Sequence, residues 1–266
     1  MLGYRIGFIG AGNMASAILS GGLRRSILQP EKVYLFDPCL EKAEAFGAKG
    51  VHVAASNQEV ADAVDILVLA VKPQMFDQVL PELEGHVTGK CVVSIAAGIS
   101  VSYLKERLSG CGIIRVMPNT PMMIGKGMSA LAEAPEVDAA YFDAVNELFS
   151  AAGQTVVVKE ELINAVIATS GSSPAYFFRM ASAMVAQAAE LGLDEDTALQ
   201  LTAATMEGAA GMLLKSGRTA AELTRQVCSP GGTTLAALTA FDEYGLDQMV
   251  AESMKRCVKR AEELGQ

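Results

Sequence analysis

The sequence predicts an α/β chain, with a doubly wound domain on a parallel sheet first and an all-helical domain after it. Three observations predict this. Short, continuously apolar runs alternate with helical patterns over the first 160 residues, a glycine-rich turn joins the first run to the first helix, and strand patterns cease after Lys159. Continuous apolarity marks strands covered on both faces, as in a parallel sheet between helix layers. Strand–helix alternation over this length is the pattern of a doubly wound domain.

The strands read as Ile6–Ile9, Val33–Phe36, 66–71, 92–95 and 113–117. The clearest is Ile66-Leu67-Val68-Leu69-Ala70-Val71, set between Asp65 and Lys72. Helical patterns fall at Asn57–Ala63, 74–83 and 101–108. From Pro174 onward Phe177, Met180, Met184, Ala188 and Leu191 recur at helical spacing. Residues 194–215 read as a further helix with Ala203, Ala204, Gly208 and Gly211 spread around it. Small residues let helix backbones approach, so this helix is expected to be packed on most sides, as at an intertwined dimer seam. The methionines read as core or interface filler. The division is placed near residue 160, giving domains 1–160 and 161–266.

A chain of 266 residues is comfortable for two domains. It is 51% hydrophobic and only 19% charged, yet no run reaches the roughly 18 apolar residues of a membrane-spanning helix. The excess apolarity points instead to a large subunit interface. The N-terminus leads straight into a strand without an apolar signal segment, so the expected location is cytoplasmic. A net charge of -9 with no basic cluster argues against nucleic acid. The five cysteines are scattered and form no C-x-x-C, which suggests buried free thiols in a reducing compartment. His52 and His86 lack metal-ligand spacing, and no metal is expected.

Gly10-x-Gly12-x-x-Ala15 follows the first strand and opens a helix. Gly10 permits the tight turn, Gly12 lets the backbone approach a pyrophosphate, and Ala15 lets the helix pack on the strand. The diphosphate would meet the free N–H groups and positive end of the helix. With a strand before and a helix after, this is the context of a Rossmann dinucleotide site. Asp37 at the end of the second strand stands where an acidic residue holds the adenosine ribose hydroxyls, and a carboxylate there repels a 2′-phosphate. Pro38, Cys39, Leu40 and Glu41 follow it with no arginine, which favours NAD(H) over NADP(H). Asp37 equally suits a plain turn position before Pro38.

In the helical half, Ser229-Pro230-Gly231-Gly232-Thr233-Thr234 interrupts one helix and opens the next, read over 235–241. Successive N–H groups at such a start make a nest for a small carboxylate, and a neighbouring hydroxyl can bond a reacting nitrogen or oxygen. A capped inter-helix turn would use the same residues. Ser170-Gly171-Ser172-Ser173-Pro174 sets a helix-opening proline behind serine caps. Met117-Pro118-Asn119-Thr120-Pro121 and Ala70-Val71-Lys72-Pro73 follow strand ends, where ligands bind in open α/β sheets.

Taken together, Phe8-Ile9-Gly10-Ala11-Gly12-Asn13-Met14-Ala15, Ala70 to Pro73, Ala96-Ala97-Gly98, Met117 to Pro121, Ser170 to Tyr176 and Ser229 to Thr234 resemble the pyrroline-5-carboxylate reductase family nearly end to end. The resemblance implies a Rossmann domain followed by a helical dimerisation domain, in homodimers that often assemble into decamers. It implies reduction of the cyclic imine 1-pyrroline-5-carboxylate to L-proline with NADPH or NADH, the last step of proline biosynthesis. Cofactor binding is implied for Ile9, Gly10, Ala11, Gly12, Asn13, Met14, Ala96, Ala97, Gly98 and Asn119. Asn57 is placed at the adenosine side, and Ala70, Val71, Lys72 and Pro73 at the nicotinamide side. Thr234 is the implied catalytic residue, bonding the ring nitrogen. Ser172 and the backbone of Gly231, Gly232, Thr233 and Thr234 are implied to hold the imino acid.

Two positions depart from the family pattern. Ser173 stands where many members have glycine, and Arg225-Gln226 where members often carry Asp or Asn. No histidine or carboxylate suits general-acid work, and a pre-protonated imine needs none. A relative of the β-hydroxyacid dehydrogenases would instead need a helical-domain lysine, and Lys215 is the one before the terminal helix. A non-enzymatic NAD(P)-sensing protein would keep the glycine turn and need no Ser-Pro-Gly-Gly-Thr-Thr.

Overall fold

The computed structural model describes residues 1–265. Through the first part of the chain run β1 (Ile6–Ile9), α1 (Asn13–Arg24), β2 (Val33–Phe36), α2 (Leu40–Gly47), β3 (His52–Val53), α3 (Asn57–Ala63) and β4 (Ile66–Leu69). There follow α4 (Phe76–Leu83), β5 (Cys91–Ser94), α5 (Val101–Lys105), β6 (Gly112–Met117), β7 (Gly127–Ala132), α6 (Ala139–Ser150) and β8 (Gly153–Val158). The strands form one sheet in the order β3-β2-β1-β4-β5-β6-β7-β8. β1 to β6 are parallel, β7 runs antiparallel to β6, and β8 is parallel to β7. The chain builds outward from β1 to β3, then returns to lay β4 on the other side of β1. In open α/β sheets such a reversal, here between β1 and β4, is where ligands bind, outside the carboxyl ends of the strands.

β1, β4 and β5 are buried along their whole length. Alternate residues supply the two faces: Phe8, Ile66 and Val68 join one core cluster, and Ile9, Leu67 and Leu69 the other. This is why their sequences read as continuous apolar runs.

Several details differ from the sequence reading. The 66–71 run leaves the sheet after Leu69, β5 spans Cys91–Ser94, and β6 begins at Gly112. The helix expected from 74 opens as a 3-10 turn, Pro73–Met75, and becomes α-helical at Phe76, while the one from Val101 ends at Lys105. β3, β7 and β8 were not foreseen. β7 reads Gly-Met-Ser-Ala-Leu-Ala, mostly small residues of low strand propensity whose place is set by their neighbours. Of the cysteines only Cys91 is fully buried; Cys39 is exposed, the other three are half-buried, and all five are free. Burial, with Cys111 nearby, pushes the Cys91 thiol up to about 12, so it is inert.

After β8 the chain is helical: α7 (Ile163–Val166), a π-turn at Ile167–Gly171, α8 (Ser173–Glu190), α9 (Glu195–Lys215), α10 (Ala220–Val227), α11 (Thr233–Glu243) and α12 (Leu246–Leu264). Pro174 is the second residue of α8, where its missing N–H costs nothing. Asp194 caps α9 by accepting from the Thr197 N–H at 2.9 Å, and Thr219 with Glu222 forms a capping box on α10. α11 is longer than the 235–241 read from sequence.

By contacts the chain divides into two compact units. One holds residues 1–174 and the stretch from Arg256 onward; the other is Ala175–Lys255. The composition changes earlier, near 160, but Ile163 is still buried against Ala130 and Ala132 of β7. In the second unit only Ala198 and Thr202 are buried. α9, expected to be packed on most sides, is therefore largely uncovered within a single chain. Among the described residues, no helix is long and apolar enough to cross a membrane.

Candidate active site

Backbone hydrogen bonds continue past the strand ends. The Gly10 N–H donates to the Phe36 carbonyl at 2.8 Å, the Ala70 N–H to Ile9 at 2.9 Å, and the Ile95 N–H to Leu69 at 3.3 Å. They set the loops after β1, β2, β4 and β5 in one row, so that 10–14, Asp37, 70–73 and 96–98 come together from distant parts of the chain. Gly10 has φ +97, and a Cβ there would lie 3.0 Å from the Ala70 carbonyl oxygen. Only glycine fits that seam.

Gly12 is the N-cap of α1 with no side-chain cap, and a Cβ on it would meet nothing within 4 Å. Open space therefore lies at a helix start whose first N–H groups have no intrahelical acceptor. A dinucleotide pyrophosphate fits that space. Ala15 is fully buried beneath it, Met14 half-buried and Asn13 exposed. Lys72 is exposed in the loop opposite.

Asp37 is 9% exposed, and its two oxygens accept from the Ala11 N–H at 2.7 Å and the Cys39 N–H at 2.8 Å. The Cys39 bond is the turn role read from sequence. The Ala11 bond, which fastens the glycine turn to the end of β2, was not foreseen. An ionised carboxylate has about four acceptor sites, so two donors leave room for ribose hydroxyls. Asn57 begins α3, donates to Glu82 Oε2 at 2.9 Å, and keeps its Oδ1 enclosed without a partner. That orphaned acceptor lies where the resemblance puts adenosine.

Asn119 spends its side chain inside the protein. Its amide donates to the Ser170 carbonyl and hydroxyl at 3.2 and 3.3 Å, and its Oδ1 accepts from the Met128 N–H at 2.8 Å. It thus ties the serine loop to β7. The Ser172 N–H reaches back five residues to the Ile167 carbonyl at 2.8 Å. Such π-turns concentrate at functional sites. Ser172 Oγ accepts from Cys257 Sγ at 3.3 Å, a contact sequence reasoning missed.

It also missed Arg115, whose signal was a charge inside an apolar strand. Arg115 is 4% exposed, donates to Asn164 Oδ1 at 3.2 Å and pairs with Glu160 at 3.6 Å. Burial lowers its pKa against the opposing pull of Glu160. Glu160 also accepts from the Val101 N–H at 2.7 Å, anchoring the start of α5.

In the second unit Gly231 has φ +69, and the Gly232 N–H bonds back to the Ser229 carbonyl at 3.0 Å. A side chain on Gly232 would strike Ser229 Oγ. Gly232 is the N-cap of α11 and offers no side-chain cap, so the first N–H groups of the helix have neither an intrahelical nor a capping acceptor. Thr233 is exposed and Thr234 half-buried. Gly231 to Thr234 belong to the second unit, and the other candidate residues, Ser172 included, to the first. Among the described residues, no three His, Cys, Asp or Glu gather as metal ligands would.

A family model described as pyrroline-5-carboxylate reductase dimerisation matches residues 160–264, and one described as NADP oxidoreductase, coenzyme F420-dependent, matches 5–98. A pyrroline-5-carboxylate reductase of Corynebacterium melassecola is 38% identical over 266 residues, covering 98% of each chain. The chain belongs to the pyrroline-5-carboxylate reductase family. Two solved structures agree. The Plasmodium falciparum pyrroline carboxylate reductase with NADP bound has a TM-score of 0.92 at 26% identity over 100% of both chains. A pyrroline-5-carboxylate reductase from Coxiella burnetii has 0.90 at 33% over 99% of both.

Membership in the pyrroline-5-carboxylate reductase family establishes the Rossmann domain with a helical dimerisation domain behind it, and with it oligomerisation and NAD(P)H use. It displaces the hydroxyacid dehydrogenase and sensor alternatives. Lys215, the residue the former would need, is exposed at the end of α9.

Proposed function

We infer that this protein reduces 1-pyrroline-5-carboxylate to L-proline with NAD(P)H, the last step of proline biosynthesis. The observation that carries this reading is a pair of helix starts in one chain of this family. One at Gly12 is open for a pyrophosphate, and one at Gly232 is uncapped for a small carboxylate. The second compact unit serves to dimerise, dimers assemble further into decamers, and the place of action is the cytoplasm.

In this reading the N–H groups of Gly231, Gly232, Thr233 and Thr234 hold the imino acid's carboxylate at the positive end of α11. The Thr234 hydroxyl bonds the ring nitrogen and, with Ser172, orients the ring. Ile9 to Met14 and Asn57 hold the cofactor's phosphate and adenosine end. Ala70 to Pro73, Ala96 to Gly98 and the Asn119 loop border its nicotinamide. When bound, the reduced nicotinamide supplies the hydride for the imine carbon. The imine nitrogen already carries its proton, so hydride addition yields the neutral ring amine and no side chain need donate. Orientation of two bound reactants can contribute about 7–11 kcal/mol, enough to make positioning the main task of these residues. Asp37 presents negative charge beside the ribose and favours NADH over NADPH.

The test is to follow NAD(P)H oxidation by the purified protein with pyrroline-5-carboxylate and to identify the product. Oxidation matched by L-proline supports the reading. A protein that binds the cofactor yet forms no proline contradicts it.

A further inference from the structure

We propose that the last turns of α12 are a positioning clasp for the reaction, in which Ala261 and Gly265 hold the Gly98 loop and Cys257 holds Ser172. The inference rests on the reading above, in which 96–98 border the nicotinamide and Ser172 the imine. All of these residues belong to the sheet-bearing unit, to which α12 returns at Arg256.

Gly98 has φ +85, and a Cβ built on it would lie 2.6 Å from the Ala261 carbonyl oxygen and 2.9 Å from Leu264 Cβ. The relation is mutual, since a Cβ on Gly265 would collide with the Gly98 carbonyl oxygen. Two backbones therefore meet here directly, with the Leu264 Cβ beside the contact. Ala261 is 3% exposed at this contact. One helical turn earlier on the same face, the Cys257 thiol donates to the Ser172 hydroxyl at 3.3 Å.

Packing alone does not ask for this arrangement. A looser approach would have room for a Cβ on either residue and for a more ordinary backbone at Gly98, whereas glycine carries an extra entropic cost on ordering. Two glycines in apposition set how closely a rigid helix approaches a loop. The thiol gives the Ser172 hydroxyl a donor from the same helix. One helical stripe thus fixes the Gly98 loop and Ser172 relative to each other, which hydride transfer needs and cofactor affinity does not.

Three full-length variants test this beside the unaltered protein: Gly265→Val, Cys257→Ala and Cys257→Ser. NADPH fluorescence titration reads cofactor affinity and the surroundings of the nicotinamide. Steady-state kinetics with 4-deuterated NADPH reads hydride transfer. Gly265→Val is expected to leave NADPH affinity nearly unchanged, diminish the fluorescence gain of the bound cofactor, lower kcat about tenfold and raise the isotope effect on kcat. Cys257→Ala should raise KM for the imine about fivefold, and Cys257→Ser, which restores a donor, should reverse most of that rise. A lower melting temperature with kcat, KM, isotope effect and fluorescence gain unchanged would overturn the clasp. If the unaltered protein binds NADH or NADPH but turns over no pyrroline-5-carboxylate with either, the functional reading fails. The fluorescence arm then decides the clasp alone: a diminished gain in Gly265→Val supports it, and an unchanged gain overturns it.

Discussion

In the sheet-bearing unit Phe8, Ile66, Leu67 and Phe76 are at most 1% exposed, whereas in the helical unit Phe177 (57%), Phe178 (68%), Leu214 (72%) and Tyr244 (89%) stand open. The first unit builds its core from its own sheet and helices. The second has helix caps and helix length but almost no core within one chain. An apolar cavity of about 760 Å³ opens in it, lined among others by Met180, Met184, Phe241, Met249 and Val250. Burying each such side chain contributes roughly 1.5–3 kcal/mol, and in a dimerisation domain that gain arrives only on association. The stability of the second unit is therefore tied to protein concentration and that of the first is not.

The largest expected effect comes from breaking the second unit. Met184→Glu places a charge among apolar residues that association should bury. It is expected to shift the protein to monomers by light scattering and to abolish turnover, while the first unit still binds NAD(P)H. An oligomer of unchanged mass would show that this face is not the interface.

Next in size, Thr234→Ala separates the chemistry of the two units. Loss of a hydrogen bond to a charged nitrogen is worth about 1.5–3 kcal/mol, so turnover should drop roughly 10- to 100-fold. Cofactor affinity, a property of the first unit, should stay within experimental scatter. Wild-type turnover would remove Thr234 from the mechanism.

Asp37→Asn makes the reciprocal test. Removing the carboxylate should move the NADH-to-NADPH affinity ratio toward NADPH by about tenfold, since a charge pair near a surface is worth on the order of 1–4 kcal/mol. The KM for the imine should not follow. If the unaltered protein already binds NADPH far more tightly, the charge argument fails and Asp37 only fastens Ala11 and Cys39.

The smallest effect concerns the start of the first unit. Burial pushes the Asp65 carboxyl up, but Arg5 outweighs it through its backbone N–H at 2.8 Å and its guanidinium at 3.0 Å, and the net pKa is lowered. A carboxylate depressed in the fold adds stability above its ordinary value near pH 4, and that stability is lost as pH falls through the folded value. Asp65→Asn should therefore cost less than about 1 kcal/mol at neutral pH and nothing in strong acid, because the pair is half in solvent. Denaturant curves at the two pH values read it, and the oligomeric mass should not change.

The parts legible in the sequence were those whose cause is local. β1 and β2 follow from short apolar runs, α3 from its helical pattern, and the glycine turn from the residues that must bend. β7 and β8 were illegible because small residues in β7 and mixed ones in β8 are placed by the strand beside them. In the candidate site, Gly231-Gly232 and Pro174 announced their turns. The Asp37–Ala11, Asn119–Ser170 and Cys257–Ser172 bonds join residues 26, 51 and 85 positions apart, and no local pattern marks them. Asp37 shows the gap most clearly: its position and charge were readable, but its bond to Ala11 was not.

The claim that the two units serve one reduction is tested most directly by following the label. With NADH or NADPH deuterated at the transferring position, the purified protein should convert pyrroline-5-carboxylate to L-proline carrying a single deuterium at C5, seen by mass spectrometry and NMR. Proline without the label, or cofactor oxidised with no proline formed, would contradict it.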